Sequence, residues 1–571
     1  MSPISLAQFF KCAVSVSDLL NLPTKIAVKE LSGNPALYCL IDTISQLNVY
    51  DEALASEFEK INCVRSLYAY RQLKSALSLS CGKFLNELSQ FLKVISEEDA
   101  IQWSLLADRV ILENEVNKQM RLIVDEGPQA DKFKSLEENY ILKDAHVVYP
   151  TSPYRISQGH VVSNEDYTVI DGLITSTVST SIRVQNNVLG IANPLLRSVY
   201  APYRRCIALV DSNVDLHYKE HIQLYFEHHN IKLHYRVHRA MEVDKHINNV
   251  EKILAELKLL GASRDEPILI IGGGVLADIA GFATALYHRN TPYVMLNTSV
   301  VSGIDAGPSP RTCSDGYGYK NLFGAYHAPI LSITDKTFFK TLHKGWIRHG
   351  IAEIIKMGGV KDIKLLDLLE EVGPALVDTA FGTLNTDKGS DMDVTCDKIL
   401  GLALKSYVES EYDNLYETHQ CRPHAFGHTW SPGFEIASGM LHGHAVSVGM
   451  GFNGYLSYQR GWIEKHEFLR LLNVISLFGL SIWHDILLDT EILWSAQLKM
   501  TEKRGGNLAA PVPKGALGSC GYINDMSYEE LKKSILDYKQ FCILYPRKGV
   551  GIEPLCSDVG LEDPSVVGAA S

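Results

Sequence analysis

Apolar residues recur every three to four positions through much of the first part of the chain, most regularly at Leu105, Leu106, Val110, Ile111, Leu112, Val116 and Met120. This is the spacing of one face of an amphipathic helix, and it predicts a helical N-terminal appendage over residues 1–145. The stripe reads as a buried helix face, and no catalytic cluster falls within it. Near residue 146 the texture changes. Two β-rich stretches, Thr168–Asp171 and Ser179–Val184, are followed by the continuous apolar runs Arg205–Asp211 and Pro267–Gly272. Short apolar runs ending in Asp or Gly are expected of strands buried on both faces of a parallel sheet. Between them, His246–Leu260 places Ile247, Val250, Ile253, Leu254, Leu257 and Leu260 on one helix face. Strand and helix therefore alternate over residues 146–341 as in an α/β nucleotide-binding domain. Residues 342–571 read as mostly helical, with the Gly/Pro/Lys-rich stretch Lys503–Gly521 as a loop between the last helices.

Composition narrows the class. A chain of 571 residues with 46% hydrophobic and 21% charged residues is an ordinary folded protein long enough for several domains. Lys and Arg total 54 against 66 Asp and Glu, a net charge of -12, which offers no basic field for nucleic acid or an anionic membrane. The 11 cysteines are scattered without a Cys-x-x-Cys pair, the usage of a reducing cytoplasm rather than of a disulfide scaffold. The N-terminus lacks a basic segment before its apolar stretch, and no apolar run is long enough to span a bilayer. The expected partner is a small molecule, in the cytoplasm.

Four constellations carry candidate chemistry. Ile271-Gly-Gly-Gly-Val-Leu-Ala-Asp278 follows a buried strand and opens a helix; its glycines Gly273 and Gly274 let backbone amides approach a pyrophosphate, although a plain tight turn has the same composition. Asp211 ends an earlier strand, where it can meet ribose hydroxyls or cap the next helix. Glu353 and Lys356 lie three apart on a helix apolar nearly all round (Ile351, Ala352, Ile354, Ile355, Met357), and a buried Glu needs a cation partner. His428 in Gly-His-Thr-Trp-Ser-Pro432 and His442 in Leu-His-Gly-His444 supply two imidazoles. With Glu353 they make the three-ligand set of a catalytic divalent metal. Arg289, Lys320, Asn321, Arg422 and Lys514 are a set of polar and cationic groups suited to a phosphate.

These residues, in this order and spacing, resemble the sugar phosphate cyclase superfamily, whose best-known member is 3-dehydroquinate synthase. The resemblance runs from about Ala201 to Pro554. It rests on Gly272-Gly-Gly-Val-x-x-Asp278, Thr298-x6-Asp305, Lys320-Asn321-x-x-Gly-Ala, Asp335-x5-Thr341-Leu, Glu353-x-x-Lys356, Gly427-His428-Thr and His442-Gly-x-Ala-Val. Dehydroquinate synthases carry a second His four positions after the first metal His and read H-G-E-A-V later, where this chain has Pro432 and His444. Those differences look like the sedoheptulose 7-phosphate cyclase branch. The tail motifs Val512-Pro-Lys, Ile523-Asn-Asp and Tyr545-Pro-Arg-Lys-Gly-Val-Gly-Ile-Glu are most similar to its desmethyl-4-deoxygadusol synthases.

The resemblance implies a dehydroquinate synthase-like fold: an α/β NAD-binding domain, then a mostly α-helical metal-binding domain, with the N-terminal helical appendage in front. It further implies NAD contacts from Asp211, Glu242, Lys245, Gly273, Gly274, Asp278, Thr298 and Thr341. Zinc or cobalt would sit on Glu353, His428 and His442. Arg289, Lys320, Asn321 and Arg422 would bind substrate, Asp305, Lys356 and Lys514 would act at the reacting centre, and the assembly would be a homodimer. One departure stands out. Where the family has S-x-x-x-K, this chain reads Gly307-Pro-Ser-Pro-Arg311, so Arg311 occupies the catalytic lysine position, and Arg keeps the charge but does not give up a proton. The implied activity is cyclisation of sedoheptulose 7-phosphate with phosphate elimination. The alternatives are a 2-epi-5-epi-valiolone synthase, a metal-dependent polyol dehydrogenase of the glycerol dehydrogenase type, and a non-catalytic homologue.

Overall fold

The structure, a computed structural model, describes residues 155–562 apart from 164, 165, 167, 169, 318, 413 and 418. The helical appendage expected over residues 1–145 lies outside the described residues. The strands in chain order are β1 (Arg155–Ser163), β2 (Ile170–Val178), β3 (Ser181–Val184), β4 (Arg205–Asp211), β5 (Lys232–His238), β6 (Ile268–Gly272), β7 (Tyr293–Asn297), β8 (Arg311–Gly316), β9 (Tyr319–Tyr326), β10 (Leu331–Thr334), β11 (Ala510–Lys514) and β12 (Ala516–Ile523). β1 and β2 form a two-stranded sheet of their own. From Val178 onward the chain is a separate compact unit.

Within that unit a six-stranded sheet runs in the order β3-β10-β7-β6-β4-β5, and every neighbouring pair is parallel. All residues of β6 and β7 are buried, which is why Ile268–Ile271 and Tyr293–Leu296 carry no charged residue. The edge strand β5, Lys-Leu-His-Tyr-Arg-Val-His, has no such run because one side faces solvent. Helices α1 (Ser212–His228), α2 (Ile247–Leu259) and α3 (Gly274–Leu286) fill the connections. Val250, Ile253 and Leu257 of α2 pack into one core with Ile207, Ile268, Ile270, Leu276 and Ala280. Each such Val, Leu or Ile side chain taken fully out of water contributes about 1.5–3 kcal/mol. Because β5 lies on one side of β4 and β6 on the other, the connections leave in opposite directions, and a crevice opens at the C-terminal ends of β4 and β6.

The remainder is mostly helical: α4 (Lys344–Val360), α5 (Lys364–Val372), α6 (Asp391–Tyr412), α7 (Ser431–Ser438), α8 (His442–Gln459), α9 (Lys465–Leu477), α10 (Thr490–Lys503) and α11 (Tyr528–Cys542). α4 is buried from Gly350 to Val360 and α8 from Gly443 to Ser457, so these two helices form the centre of this half. The stretch expected as a loop over Lys503–Gly521 instead contains β11 and most of its antiparallel partner β12. Pro511 and Pro513 lack N–H groups but keep their carbonyls, and those accept from the Asn453 amide at 3.0 Å and from the Ser457 hydroxyl on α8. Among the described residues no helix is long and apolar enough to cross a membrane.

Candidate active site

Two close backbone approaches assemble the centre of the site. Gly443, next to His442, lies so near the backbone of His349 that a Cβ there would overlap the His349 carbonyl. His349 is one turn before Glu353 on α4, so this contact brings the start of α8 beside that carboxylate. Gly427 has φ +82°, and a Cβ on it would sit 2.7 Å from the Val446 carbonyl of α8, so this position needs glycine on both counts. It delivers His428 to the same place. As a result one ligand atom each from Glu353, His428 and His442 lies within 4.8 Å of the others.

Both imidazoles aim Nε2 inward. The two Nε2 atoms are 3.3 Å apart, and they lie 3.9 Å (His428) and 3.5 Å (His442) from Glu353 Oε1. The outer nitrogens are held: His428 Nδ1 is 3.1 Å from the Phe426 carbonyl, and His442 Nδ1 is 2.9 Å from Glu435 Oε2. Orienting partners of this kind are what metal-ligating histidines require. Neither buried oxygen of Glu353 accepts a hydrogen bond, although the Lys356 ammonium makes an ion pair with it. Two imidazole nitrogens and Glu353 Oε1, which has no hydrogen-bond partner, facing one point fit a divalent cation. Burial pushes His428 down to about 4 and favours the neutral, ligating form. Burial acts the same way on His442, but Glu435 and Glu353 outweigh it and raise it to about 10, marking a point that attracts a positive charge.

Asp305 lies in the π-helical turn Ser302–Ala306, and its Oδ2 is 2.8 Å from Lys356 Nζ. Lys356 is buried one turn beyond Glu353. Burial opposes its charge, but Asp305 and Glu353 win, and its pKa is raised. Lys320, on β9, bridges Glu242 (3.0 Å) and Glu435 (2.8 Å). A continuous chain of contacts thus runs from Glu242, beyond β5, to His442.

Arg311 donates to Glu411, to Glu417 at 3.0 Å and to the Tyr407 hydroxyl at 3.0 Å. Arg422 contacts Glu417 at 2.9 Å and His424 at 3.3 Å. Sequence reasoning missed Arg504, which is buried close enough to Arg422 to feel its charge. Burial and Arg422 lower it to about 10. Its Nη1 reaches the Leu508 and Ala509 carbonyls while Nε has no hydrogen-bond partner. Its signal, Lys-Arg-Gly-Gly, lay at the start of the stretch read as a loop.

Three expected site residues do not join these groups within the chain. Lys514 packs over the Trp462 ring at 4.2 Å, beyond the C-terminal end of α8. His442 opens that helix of 18 residues, and about 1.5 Å per residue puts about 27 Å between its ends. The placement of Lys514 at the reacting centre is therefore corrected: its ammonium is held by an aromatic face. Arg289 is exposed in the turn after α3, at the helix end opposite Gly273. Asn321 is exposed on β9, its N–H donating to Asp315 at 2.7 Å.

The crevice gathers the remaining residues. Gly272 and Asp211 are in contact across β6 and β4, since a Cβ on Gly272 would be 3.1 Å from that of Asp211. Asp211 caps α1, accepting from the Asn213 N–H at 2.8 Å. Gly273 precedes α3, whose N-terminus has no side-chain cap, so its first amides are available to an anion. Those uncapped amides at the switch point fit a dinucleotide pyrophosphate. Asp278 pairs with Lys245 at 2.6 Å, Thr298 is buried after β7, and the exposed Thr341 donates to the Phe338 carbonyl at 3.0 Å. Crevice and metal-ligand cluster adjoin: a Cβ on Gly274 would be 3.4 Å from Ala306, the neighbour of Asp305.

Comparison with known proteins agrees with this geometry. Residues 236–349 match the 3-dehydroquinate synthase N-terminal family and residues 350–501 the C-terminal one. The chain is 36% identical over 373 residues to demethyl-4-deoxygadusol synthase of Trichormus variabilis, covering 64% of this chain and 89% of that protein. The chain belongs to the sugar phosphate cyclases. Within this family it is also 34% identical over 334 residues to a 2-epi-5-epi-valiolone synthase of Streptomyces albus, covering 58% of this chain and 80% of the relative. A solved 2-epi-5-epi-valiolone synthase of Streptomyces hygroscopicus subsp. jinggangensis, with NAD+ and Zn2+ bound, superposes with a TM-score of 0.59 at 31% identity, covering 64% of this chain and 98% of that one. A 2-deoxy-scyllo-inosose synthase shares the cyclase fold at a TM-score of 0.51 and 17% identity, covering 66% of this chain and 99% of that one.

Proposed function

We propose that this cyclase converts sedoheptulose 7-phosphate to desmethyl-4-deoxygadusol, releasing phosphate and water, as an entry step to mycosporine- and gadusol-type compounds. The observation that carries the reading is the convergence of the Glu353–His428–His442 donor set with the buried Lys356–Asp305 pair beside an uncapped Gly-rich helix start. The similarity to demethyl-4-deoxygadusol synthase over 89% of its length supports the choice of substrate and product. NAD is held by Gly273, Gly274 and the Asp211 side of the crevice, and zinc or cobalt by Glu353, His428 and His442. When bound, these groups supply reversible hydride acceptance and polarisation of substrate oxygens.

The chain's own residues account for the rest. Arg311 and Arg504 each lie near enough to Arg422 to act on its charge or sense it, and guanidinium groups suit bidentate contacts with a phosphate. Arg311 is fixed by Glu411, Glu417 and Tyr407, so at the family's lysine position it binds and orients while keeping its proton. Lys356, charged and buried beside Glu353, holds a proton with Asp305 as its partner. Glu435 fixes the ring of His442, and the apolar wall of α4 excludes water. Orientation of one flexible chain for an intramolecular bond is a large part of such catalysis.

The free cysteines among the described residues, Cys206, Cys313, Cys396, Cys421, Cys520, Cys542 and Cys556, support a reducing cytoplasm. Exposed Tyr317, Tyr319 and Tyr326 along the β8–β9 hairpin support a homodimer, which sedimentation at the mass of two chains checks. The deciding experiment is phosphate release from sedoheptulose 7-phosphate by purified protein with NAD and zinc or cobalt, with the product's ultraviolet spectrum recorded. Release with a strongly absorbing product is expected. Release without one identifies a valiolone synthase, and no release overturns the assignment.

A further inference from the structure

The C-terminal segment Gly549–Cys556 lies beyond the residues that match the 3-dehydroquinate synthase C-terminal family, which end at 501, and nothing in the reaction assigns it a part. Its contacts, however, converge on the metal-ligand cluster. The Ile482 and Trp483 N–H groups donate to the Gly549 carbonyl at 2.8 and 3.1 Å, and the Ile552 N–H donates to the Gly479 carbonyl at 2.7 Å. The Gly551 N–H donates to the Ser481 hydroxyl at 2.9 Å, and that hydroxyl lies 2.9 Å from His444 Nδ1. The Leu441 N–H donates to the Pro554 carbonyl at 2.8 Å, the Cys556 N–H to the Gly439 carbonyl at 2.9 Å, and Met440 bridges Leu555. Glu553 receives Arg348 of α4 at 2.5 Å. Residues just before His442 (Met440, Leu441), just after it (His444) and five before Glu353 (Arg348) are therefore tied to one strap.

The fit at Gly551 is tight. A Cβ there would come within 2.6 Å of His444 Cε1 and 2.6 Å of the Gly479 carbonyl, so the strap crosses the start of α8 at a distance only glycine permits.

We propose that the strap Gly549–Cys556 is a positioning element of the metal centre, setting where α8 begins and hence where His442 Nε2 points relative to Glu353. The proposal rests on the reading of Glu353, His428 and His442 as the metal site. A ligand set held from outside its first contacts loses affinity when that hold is loosened, by about 10–100-fold for an orienting partner. By linkage, metal must in turn tighten the strap.

The test uses the full chain without substrate. Zinc affinity is measured by competition with a chromogenic chelator, the cobalt-loaded visible spectrum is recorded, and apoprotein Tm is followed for wild type, Gly551→Ala, Glu553→Gln and the control Arg470→Gln, whose pairs with Asp367 and Glu370 are remote from the centre. Expected are a loss of about tenfold for Gly551→Ala with an altered cobalt spectrum, about threefold for Glu553→Gln, and none for the control. Zinc should also slow amide hydrogen exchange across 549–556 in wild type. If Gly551→Ala does not fold, Glu553→Gln and the exchange measurement decide. Variants that lose Tm but keep wild-type zinc affinity, or exchange indifferent to zinc, overturn the proposal. Wild type that binds no zinc overturns the metal reading itself.

Discussion

The crevice and the metal-ligand cluster adjoin, yet they are built in opposite ways. The crevice is made chiefly by backbone: the ends of β4 and β6 and the uncapped start of α3, gathered by one parallel sheet. Its core pieces lie within Arg205–Leu286, and strand pairing alone sets their spacing. The metal-ligand cluster is made of side chains from α4, the turn before α7, and α8, brought together by glycines at van der Waals limits. Side-chain geometry there depends on packing across some 90 residues from Glu353 to His442. A backbone site should tolerate substitutions that spare its amides, whereas a side-chain site should fail with any one member.

The sharpest break in that contrast is Glu353→Ala, which removes the only carboxylate of the donor set. Loss of stoichiometric metal and of phosphate release is expected, and metal analysis of purified protein checks it; full metal content would sink the assignment. Next is Glu435→Gln, which removes the carboxylate at His442 Nδ1 and leaves Lys320 only Glu242. Metal affinity should fall by about 10–100-fold, read by chelator competition. On the crevice side, Gly273→Ala meets only Ser299 Oγ at 3.7 Å, so Tm should be unchanged. A methyl group where a pyrophosphate approaches should still weaken NAD binding on the order of tenfold, about 1.4 kcal/mol, and calorimetry that finds equal affinity would show these glycines serve only the turn.

The smallest effect lies outside both, where the sheet meets the helical half and buried Lys336, just after β10, holds Asp393 of α6 at 2.6 Å. The Gly389 amide, then Lys336, keep the Asp393 carboxyl below its usual range. A carboxyl whose folded pKa is depressed contributes stability above its unfolded pKa of about 3.9 and loses it as pH falls further. Asp393→Asn should lower Tm by at most a few degrees near neutrality and leave a smaller acid-induced drop below about pH 4 than wild type shows.

How much of this was legible in the sequence follows the same division. β4, β6, α2 and the Gly-rich turn could be read because burial on both faces, helical periodicity and glycine at a strand end are local patterns. Glu353 stood out because a carboxylate on an apolar helix needs a cation. Glu435 did not, although Phe434 beside it is also buried in α7, because its purpose lies in His442 and Lys320, on other elements. Arg504 was hidden inside a stretch whose Gly and Pro content suggested a loop, when Pro carbonyls were in fact bound by α8. Lys514 carried the right charge in the wrong place, since nothing in Val-Pro-Lys tells which end of α8 it meets.

The sequence by itself determined which segments are strands and helices in the sheet region, the donor types available for a divalent cation, and the order of motifs that marks the cyclase family. These depend on periodicity, residue chemistry and spacing, which are written along the chain. Only the tertiary structure decided which charges meet: that Lys320 joins Glu242 to Glu435, that Arg311 is held by Glu411 and Glu417, and that a C-terminal strap grips both sides of His442. Those are contacts between residues distant in sequence, set by how helices and backbone close on one another. No local pattern of residues encodes that closure.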